Sequence, residues 1–300
     1  MTAAAIDQAA RAAARSRLDG LAKPLGALGR LEDLAVWLAG VQGASSPTPP
    51  DPVSVVVFAG DHGVTDRGRA VSAYPRQVTA MMVGEFLRGG AAVNVLARAH
   101  GARVRVVDLG VDGDSAGAPP DVMRFKVRHG SGSIDFEDAL TAGEVAAALD
   151  AGATIADEEI DAGARLVVPG DMGIGNTTVA AALVGAVLGL DADEVVGRGT
   201  GIDDATWQDK RAVVGAAIGR AGDLRTDPVR LLQVSGSADF AAMTGFLRRA
   251  AERGVPAARR RPSARTLTAA GSGRKRRPGR PRAWTSGPTA AARPAAPGAP

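Results

Sequence analysis

The period of the apolar positions changes along this chain, and each change marks an element. Residues 54–60 (SVVVFAG) are a short β-branched run closed by glycine, which predicts a strand buried on both faces. Residues 102–112 (ARVRVVDLGVD) and 164–175 (ARLVVPGDMGIG) predict two more strands, the latter running into a glycine turn. Helices are expected over 3–19, 31–41, 73–90, 91–101, 141–163, 176–190, 203–222 and 237–254. Leu31, Leu34, Ala35 and Leu38 share one helical face, Pro75 sits near the expected first turn of its helix, and Thr141 with Glu144 suits a capping box. Residues 113–137 keep no clean period and read as a long loop carrying a short edge strand. Strands alternating with helices at this spacing predict βαβ units around a parallel sheet, an α/β fold.

At 300 residues the chain suits one large domain or two smaller ones. Aromatic residues are 3%, so the core has to be built from Ala, Val, Leu and Ile. Cysteine is absent, which excludes a disulfide scaffold, a thiolate metal site and a Cys nucleophile and fits a reducing compartment. No apolar run approaches the roughly 18–20 residues of a membrane span, and the N-terminus lacks a signal-peptide core, so a cytoplasmic protein without a membrane partner is expected. The formal charge of +4 is misleading. Eleven of the 36 Lys/Arg and none of the 32 Asp/Glu fall in 256–300, so the preceding body carries 25 bases against 32 acids, −7. The tail also holds eight of the 18 prolines and only Leu267 and Trp284 as large apolar residues. It cannot bury enough surface to fold and reads as disordered. An acidic body argues against nucleic acid as a partner.

The strongest chemical signal is GDMGIGNTT, Gly170 to Thr178. A strand ends in a turn with Gly170, Gly173 and Gly175, and a helix starts at Asn176 or Thr177. Glycines let backbone N–H groups approach a ligand, and a helix start leaves N–H groups unpaired, which together suit an anion such as phosphate. An ordinary capped strand-to-helix turn is the competing reading. The G-x-x-G-x-G order matches neither the dinucleotide fingerprint nor a Walker loop, which weakens an oxidoreductase reading. Asp171 lies inside this loop, where a carboxylate beside an anion site is costly unless used. Asp61 and His62 in FAGDHGV end the first strand, where open α/β sheets bind ligands. Ser72 and Tyr74 precede a helix and could line an aromatic pocket or simply cap and pack. VGRGTGIDD (196–204) holds Arg198, Gly199 and Thr200, and Lys210 follows; either cation could pair with phosphate, or the stretch could be a loop capping the next helix. No paired-His spacing indicates a metal site.

In this order, the blocks KPLGALGRLEDLA (23–35), VVVFAGDHGV (55–64), VSAYPRQVTAMMVGEFLRGGAAVNVLA (71–97), DLGVD (108–112), GDMGIGNTT (170–178) and VGRGTGIDD (196–204) resemble the nicotinate-nucleotide–dimethylbenzimidazole phosphoribosyltransferase family of cobalamin nucleotide-loop assembly. The resemblance implies a Rossmann-like parallel sheet flanked by helices, with a smaller helical domain that is incomplete in this chain. Residues 1–45 would be the N-terminal helices of that small domain, 46–255 the α/β nucleotide-binding domain and 256–300 a basic tail. It implies a homodimer that needs no cofactor or metal. It further implies transfer of phosphoribose from nicotinate mononucleotide to 5,6-dimethylbenzimidazole, giving α-ribazole 5'-phosphate and nicotinate. On this reading Gly173, Ile174, Gly175, Asn176, Thr177, Arg198, Gly199, Thr200 and Lys210 hold the nucleotide. Asp61 and His62 line the substrate site, Ser72, Tyr74 and Met81 face the benzimidazole, and Asp171 is the acid beside the reacting sugar.

Two features depart from the family pattern. In the pattern that the resemblance implies, many relatives carry Glu where this chain has Asp171. The family's general base, a Glu in a closing helical segment, has no match here. Where relatives continue after residue 256 with an apolar strand, this chain reads ARRRPSARTLTAAGSGRKRRPGRPR. Such acid-free text is what a GC-rich gene yields out of frame, so a frameshift near 255–258 is expected, with impaired activity. The alternative is a non-catalytic remnant that binds nucleotide or benzimidazole.

Overall fold

The computed structural model describes residues 5–66, 68, 70–113 and 118–258. Its sheet is parallel throughout, in the order β2-β1-β3, with β1 (Val53–Gly60) central between β2 (Arg103–Gly110) and β3 (Leu166–Met172). All three strands stand where the apolar runs predicted them. Phe58 lies opposite Val107 on one side and Asp171 on the other, so the C-terminal ends of the strands are in line.

Because successive side chains of a strand point to opposite faces, β1 feeds two cores. Val56 and Phe58, fully buried, face a large cluster that includes α6 (Ala142–Asp161) and α11 (Ala238–Glu252). Val57 and Ala59 face a smaller one with Val83 and Phe86 of α3 (Val78–Arg88) and Val93 of α4 (Ala92–Ala99). With so few aromatic rings, close helix approach replaces bulk. A Cβ on Gly152 of α6 would lie 1.8 Å from the Ala242 carbonyl oxygen, and one on Gly245 of α11 would lie 2.0 Å from that of Leu149. Phe246 of α11 then reaches Phe58 edge-on at 5.3 Å between ring centres. At the other end of the strands, Ser54 Oγ donates to Glu159 of α6 at 2.6 Å, and Arg105 of β2 pairs with Glu158 and Glu159.

The remaining helices are α1 (Gln8–Asp19), α2 (Arg30–Gln42), α5 (Pro120–Met123), α7 (Asn176–Leu188), α8 (Ala192–Val195), α9 (Asp204–Ala221) and α10 (Pro228–Ser235). The capping box of Thr141 and Glu144 forms as expected at the start of α6. Elsewhere the structure corrects the sequence expectations. The helix foreseen over 73–90 starts only at Val78, because the carbonyls of Pro75 and Arg76 accept from Val78 and Thr79 in a preceding turn. The edge strand foreseen within 113–137 is a single parallel bridge, Ser131 to His62, which ends as Gly132 turns to bond Ala139. Neither α8 nor α10 was anticipated: each is short and depends on an aspartate cap, Asp191 or Asp227. The face of α2 that looked apolar is not the buried one. Leu31 and Leu34 are exposed, while Val36 and Ala39 pack against Ala14 of α1.

β3 has one edge that β1 does not cover. There Val167 N–H donates to Pro256 O at 3.1 Å and Ala258 N–H to Val167 O at 2.9 Å, a single parallel bridge on the outer edge. The tail expected to be disordered lies, from 259 on, outside the described residues.

Replacing Gly245 with Ala is expected to destabilise the fold by about 1–3 kcal/mol, because the new methyl meets backbone. The same change at exposed Gly219 in α9, where nothing lies within 4 Å, is expected to stabilise by up to about 1 kcal/mol. Urea midpoints of the two variants check both signs.

Candidate functional site

The site grows from the C-terminal ends of β1 and β3. Gly60 ends β1, and Asp61 and His62 follow it into the interior, each under 3% exposed. Asp61 accepts from the Asp112 backbone at 2.8 Å, and its burial pushes its carboxyl above the ordinary range against the opposing pull of the Thr79 hydroxyl and that amide. β3 carries Asp171 to the same level and passes into Gly173, Ile174 and Gly175. Gly173 is forced to be glycine. A Cβ there would lie 2.1 Å from the Gly60 carbonyl oxygen and 2.5 Å from His62 Nε2. Gly175 turns the chain at φ +94° and starts α7 with no side-chain cap.

The uncapped start of α7 is what an anion would meet. Backbone carbonyls accept from Asn176, Thr178 and Val179. The Ile174 amide, expected to face the ligand, instead donates to Thr79 Oγ1 at 3.1 Å. Among the described residues the amides of Gly175 and Thr177 are left without such a partner. Lys210 comes in from α9, only 1% exposed, and donates to Thr177 Oγ1 at 2.7 Å. Desolvation lowers Lys210 to about 8. Gly199 makes room for this contact: a Cβ there would sit 3.1 Å from both Lys210 Nζ and Thr177 Oγ1.

Two hydrogen bonds draw the other segments in. Thr200 Oγ1 accepts from the Ala73 backbone at 3.0 Å, tying the 198–201 loop to the stretch that holds Ser72 and Tyr74. Thr79 on α3 ties Ile174 to the turn before it. Thus Asp61, His62, Asp171, the 173–177 turn, Gly199, Thr200 and Lys210 form one neighbourhood, with Ser72 at its rim. Ser72 Oγ accepts from the Tyr74 backbone, and Tyr74 and Met81 are exposed. Arg198 is engaged elsewhere: its guanidinium donates to Ile202 O, pairs with Asp204 and lies over the Trp207 ring at 5.6 Å. Among the described residues no cluster of His, Asp or Glu is arranged to hold a metal.

One participant escaped the sequence reading. Asp239, in the first turn of α11, is fully buried against Gly60, with Oδ2 3.6 Å from His62 Nε2. Asp171 approaches from β3: two residues on, Gly173 lies against the same Gly60 and His62 that Asp239 meets. Desolvation and the neighbouring Asp239 carboxylate push Asp171 well above the usual range, with only the Asn176 side-chain amide, 2.9 Å away, pulling it down. In sequence, an acid at a helix start signals nothing beyond favourable dipole placement.

A phosphoribosyltransferase family model (DBI_PRT) matches residues 3–258. The chain is 56% identical over 252 residues to the nicotinate-nucleotide–dimethylbenzimidazole phosphoribosyltransferase of Mycobacterium avium (strain 104), covering 83% of this chain and 70% of that protein. Against the Mycobacterium tuberculosis (strain H37Rv) protein of the same name it is 55% identical over 250 residues, covering 83% and 68%. The solved structure of CobT from Thermus thermophilus superposes with a TM-score of 0.79 at 41% identity, covering 87% of this chain and 77% of that one. A second structure from the same organism, named for the nucleotide and benzimidazole substrates, gives 0.80 at 39% identity, covering 88% and 77%.

Lys210 is cationic below about pH 8 and loses its proton above it. Affinity for a ribose 5'-phosphate monoester is therefore expected to fall as pH rises through that value. Lys210→Met should abolish this limb and weaken binding about tenfold to a hundredfold, the worth of one charge-assisted hydrogen bond. Calorimetry from about pH 6.5 to 9.5, spanning the lysine's titration, checks it. Gly175 is the poorer probe, since its φ of +94° and Cβ contacts of 3.1 Å to Thr65 and Val64 would strain the fold as well.

Proposed function

This chain belongs to the nicotinate-nucleotide–dimethylbenzimidazole phosphoribosyltransferase family, and we propose that it moves phosphoribose from nicotinate mononucleotide to 5,6-dimethylbenzimidazole, yielding α-ribazole 5'-phosphate and nicotinate for cobalamin biosynthesis. The observation that carries this reading is the convergence of an uncapped helix start, a buried lysine and Asp171 at the C-terminal end of the sheet. In the reaction the C1'–N bond breaks and its electron pair returns to the nicotinate ring nitrogen. An azole nitrogen takes C1' from the opposite side, and the other ring nitrogen releases its proton. The sugar passes through a cationic, oxocarbenium-like state. Lys210, Thr177 and the amides of Gly175 and Thr177 hold the phosphate, a remote handle that fixes the sugar in attack geometry. Asp171 offers negative charge to the developing cation. Asp61 and His62 line the floor, and Ser72, Tyr74 and Met81 form the side open to the benzimidazole. Arg198 serves the loop, through Asp204, rather than the phosphate.

The family's closing Glu base has no match in this sequence, so the azole proton leaves to solvent and turnover is impaired. We read 256–300 as the product of a frameshift near 255–258. The parallel bridge of Pro256–Ala258 with Val167 supports this: the chain pairs with β3 there, and in the sequence Arg259, Arg260, Arg261 and Pro262 follow at once. Residues 1–45 belong to a small domain and 46–255 to the α/β domain of a cytoplasmic homodimer. The exposed Leu25, Leu28, Leu31 and Leu34 support a cover supplied by another surface, and no helix of the described residues is long and apolar enough to cross a membrane.

Purified chain given both substrates is expected to release nicotinate about 10²–10⁴-fold more slowly than the Mycobacterium avium relative, the usual worth of a general base. Chromatographic nicotinate assay checks this. Nucleotide binding with no release above the uncatalysed rate would favour a binding remnant instead. Resequencing the gene tests the tail: an intact single frame through 257–300 overturns the frameshift.

A further inference from the structure

Asp239 has no place in the mechanism above, yet its position is costly. Its carboxyl is wholly buried, and neither oxygen accepts a hydrogen bond from an N–H or hydroxyl donor among the described residues. A single ionised carboxylate is not left in such a place without compensation, and two side by side still less. The neighbours that could compensate are few. From β1, Asp61 is held by the Asp112 amide, and His62 offers Nε2 at 3.6 Å with no hydrogen-bond partner of its own. From β2, Asp108 is taken by Lys126 and the Val111 amide. The acids of α6 are not among them: Glu158 and Glu159 pair with Arg105 at the other end of the strands, and Asp157 pairs with Arg249 and Arg253 near the end of α11. From β3 and α7 come only Asp171 and the Asn176 amide, and that amide is spent on Asp171.

We propose that Asp239 is a positioning residue: it shares one proton with Asp171 and abuts His62, so that the carboxyl pair presents a single negative charge to the cationic sugar. The inference rests on the phosphoribosyltransferase reading. Two bare carboxylates would repel and swing Asp171 out of the cleft. A doubly protonated pair would offer the oxocarbenium nothing. A shared proton holds Asp171 in place and keeps one negative charge facing the cation as it forms. Asp239 itself touches no substrate and acts through Asp171.

The test is a titration of the full chain carrying aspartate labelled with carbon-13 at the carboxyl, the Asp171 signal being assigned by its loss in Asp171→Asn. In the wild type one carboxyl should titrate well above the ordinary aspartate range. Asp239→Asn puts an amide donor beside Asp171, so that titration should move down by about one pH unit or more, a tenfold change in proton concentration. The acid limb of kcat for nicotinate release should move with it, while KM for nicotinate mononucleotide changes less than about twofold. Asp239→Leu, which cannot donate, should not restore the wild-type limb. The wild-type titration needs no variant to fold. If the assigned Asp171 signal titrates in the ordinary range, or if Asp239→Asn leaves its raised titration in place, the proposal is overturned whatever the nucleotide does. A raised, coupled carboxyl in a chain that binds no nucleotide upholds the shared proton and overturns the functional reading instead.

Discussion

The contact on which the site depends is the one between Gly173 and the end of β1. With no Cβ, Gly173 lets β3 run on against the Gly60 carbonyl and the His62 ring. That close approach brings Asp171 level with Asp239 and aims the start of α7 at the same space as Lys210. Any side chain at 173 would wedge the strand ends apart and separate the anion site from the carboxylates. The geometry of the chemistry is thus set by a missing atom.

The site is also electrostatically uneasy. Buried carboxyls at 61 and 239, the half-buried carboxyl at 171 and a desolvated lysine at 210 all cost free energy that a purely structural core would avoid. The offset comes from the large core on the same face of the sheet. There α6 and α11 approach to backbone contact through Gly152 and Gly245, and Phe58 and Phe246 meet edge-on. Asp239 stands in the first turn of the same helix that supplies Phe246. The element that anchors the core therefore also carries the buried acid, and stability and site are coupled through α11.

The outer edge of β3 gives a different view of the same economy. A parallel sheet needs both faces and both edges managed, and among the described residues β3 is bridged on its outer edge only at Val167. Val255 still packs against the core cluster, and Pro256 and Ala258 still bond to the strand. The family match stops at 258, where the apolar text gives way to arginine and proline. Guanidinium groups in succession and a ring without an N–H are poor material for continuing a buried strand.

The periodicity of the apolar residues alone determined the three strands, the long helices and the α/β class, because burial on two faces leaves an unmistakable run of β-branched residues. Glycine spacing and Lys210 marked the two stretches that the structure joins at the start of α7, where Lys210 donates to Thr177, since those residue types stand out without a partner. Short α8 and α10 were not legible, because one aspartate cap and a turn or two carry little periodic signal. The buried face of α2 was misread because leucines mark an apolar face without saying what covers it. Asp239 was invisible for a deeper reason. It lies 68 residues after Asp171 and 177 after His62 in the chain, and only the packing of α11 against the sheet removes the water that would have made it ordinary. Local sequence decides which backbone forms, but which charges end up sharing a dry space is decided by the fold.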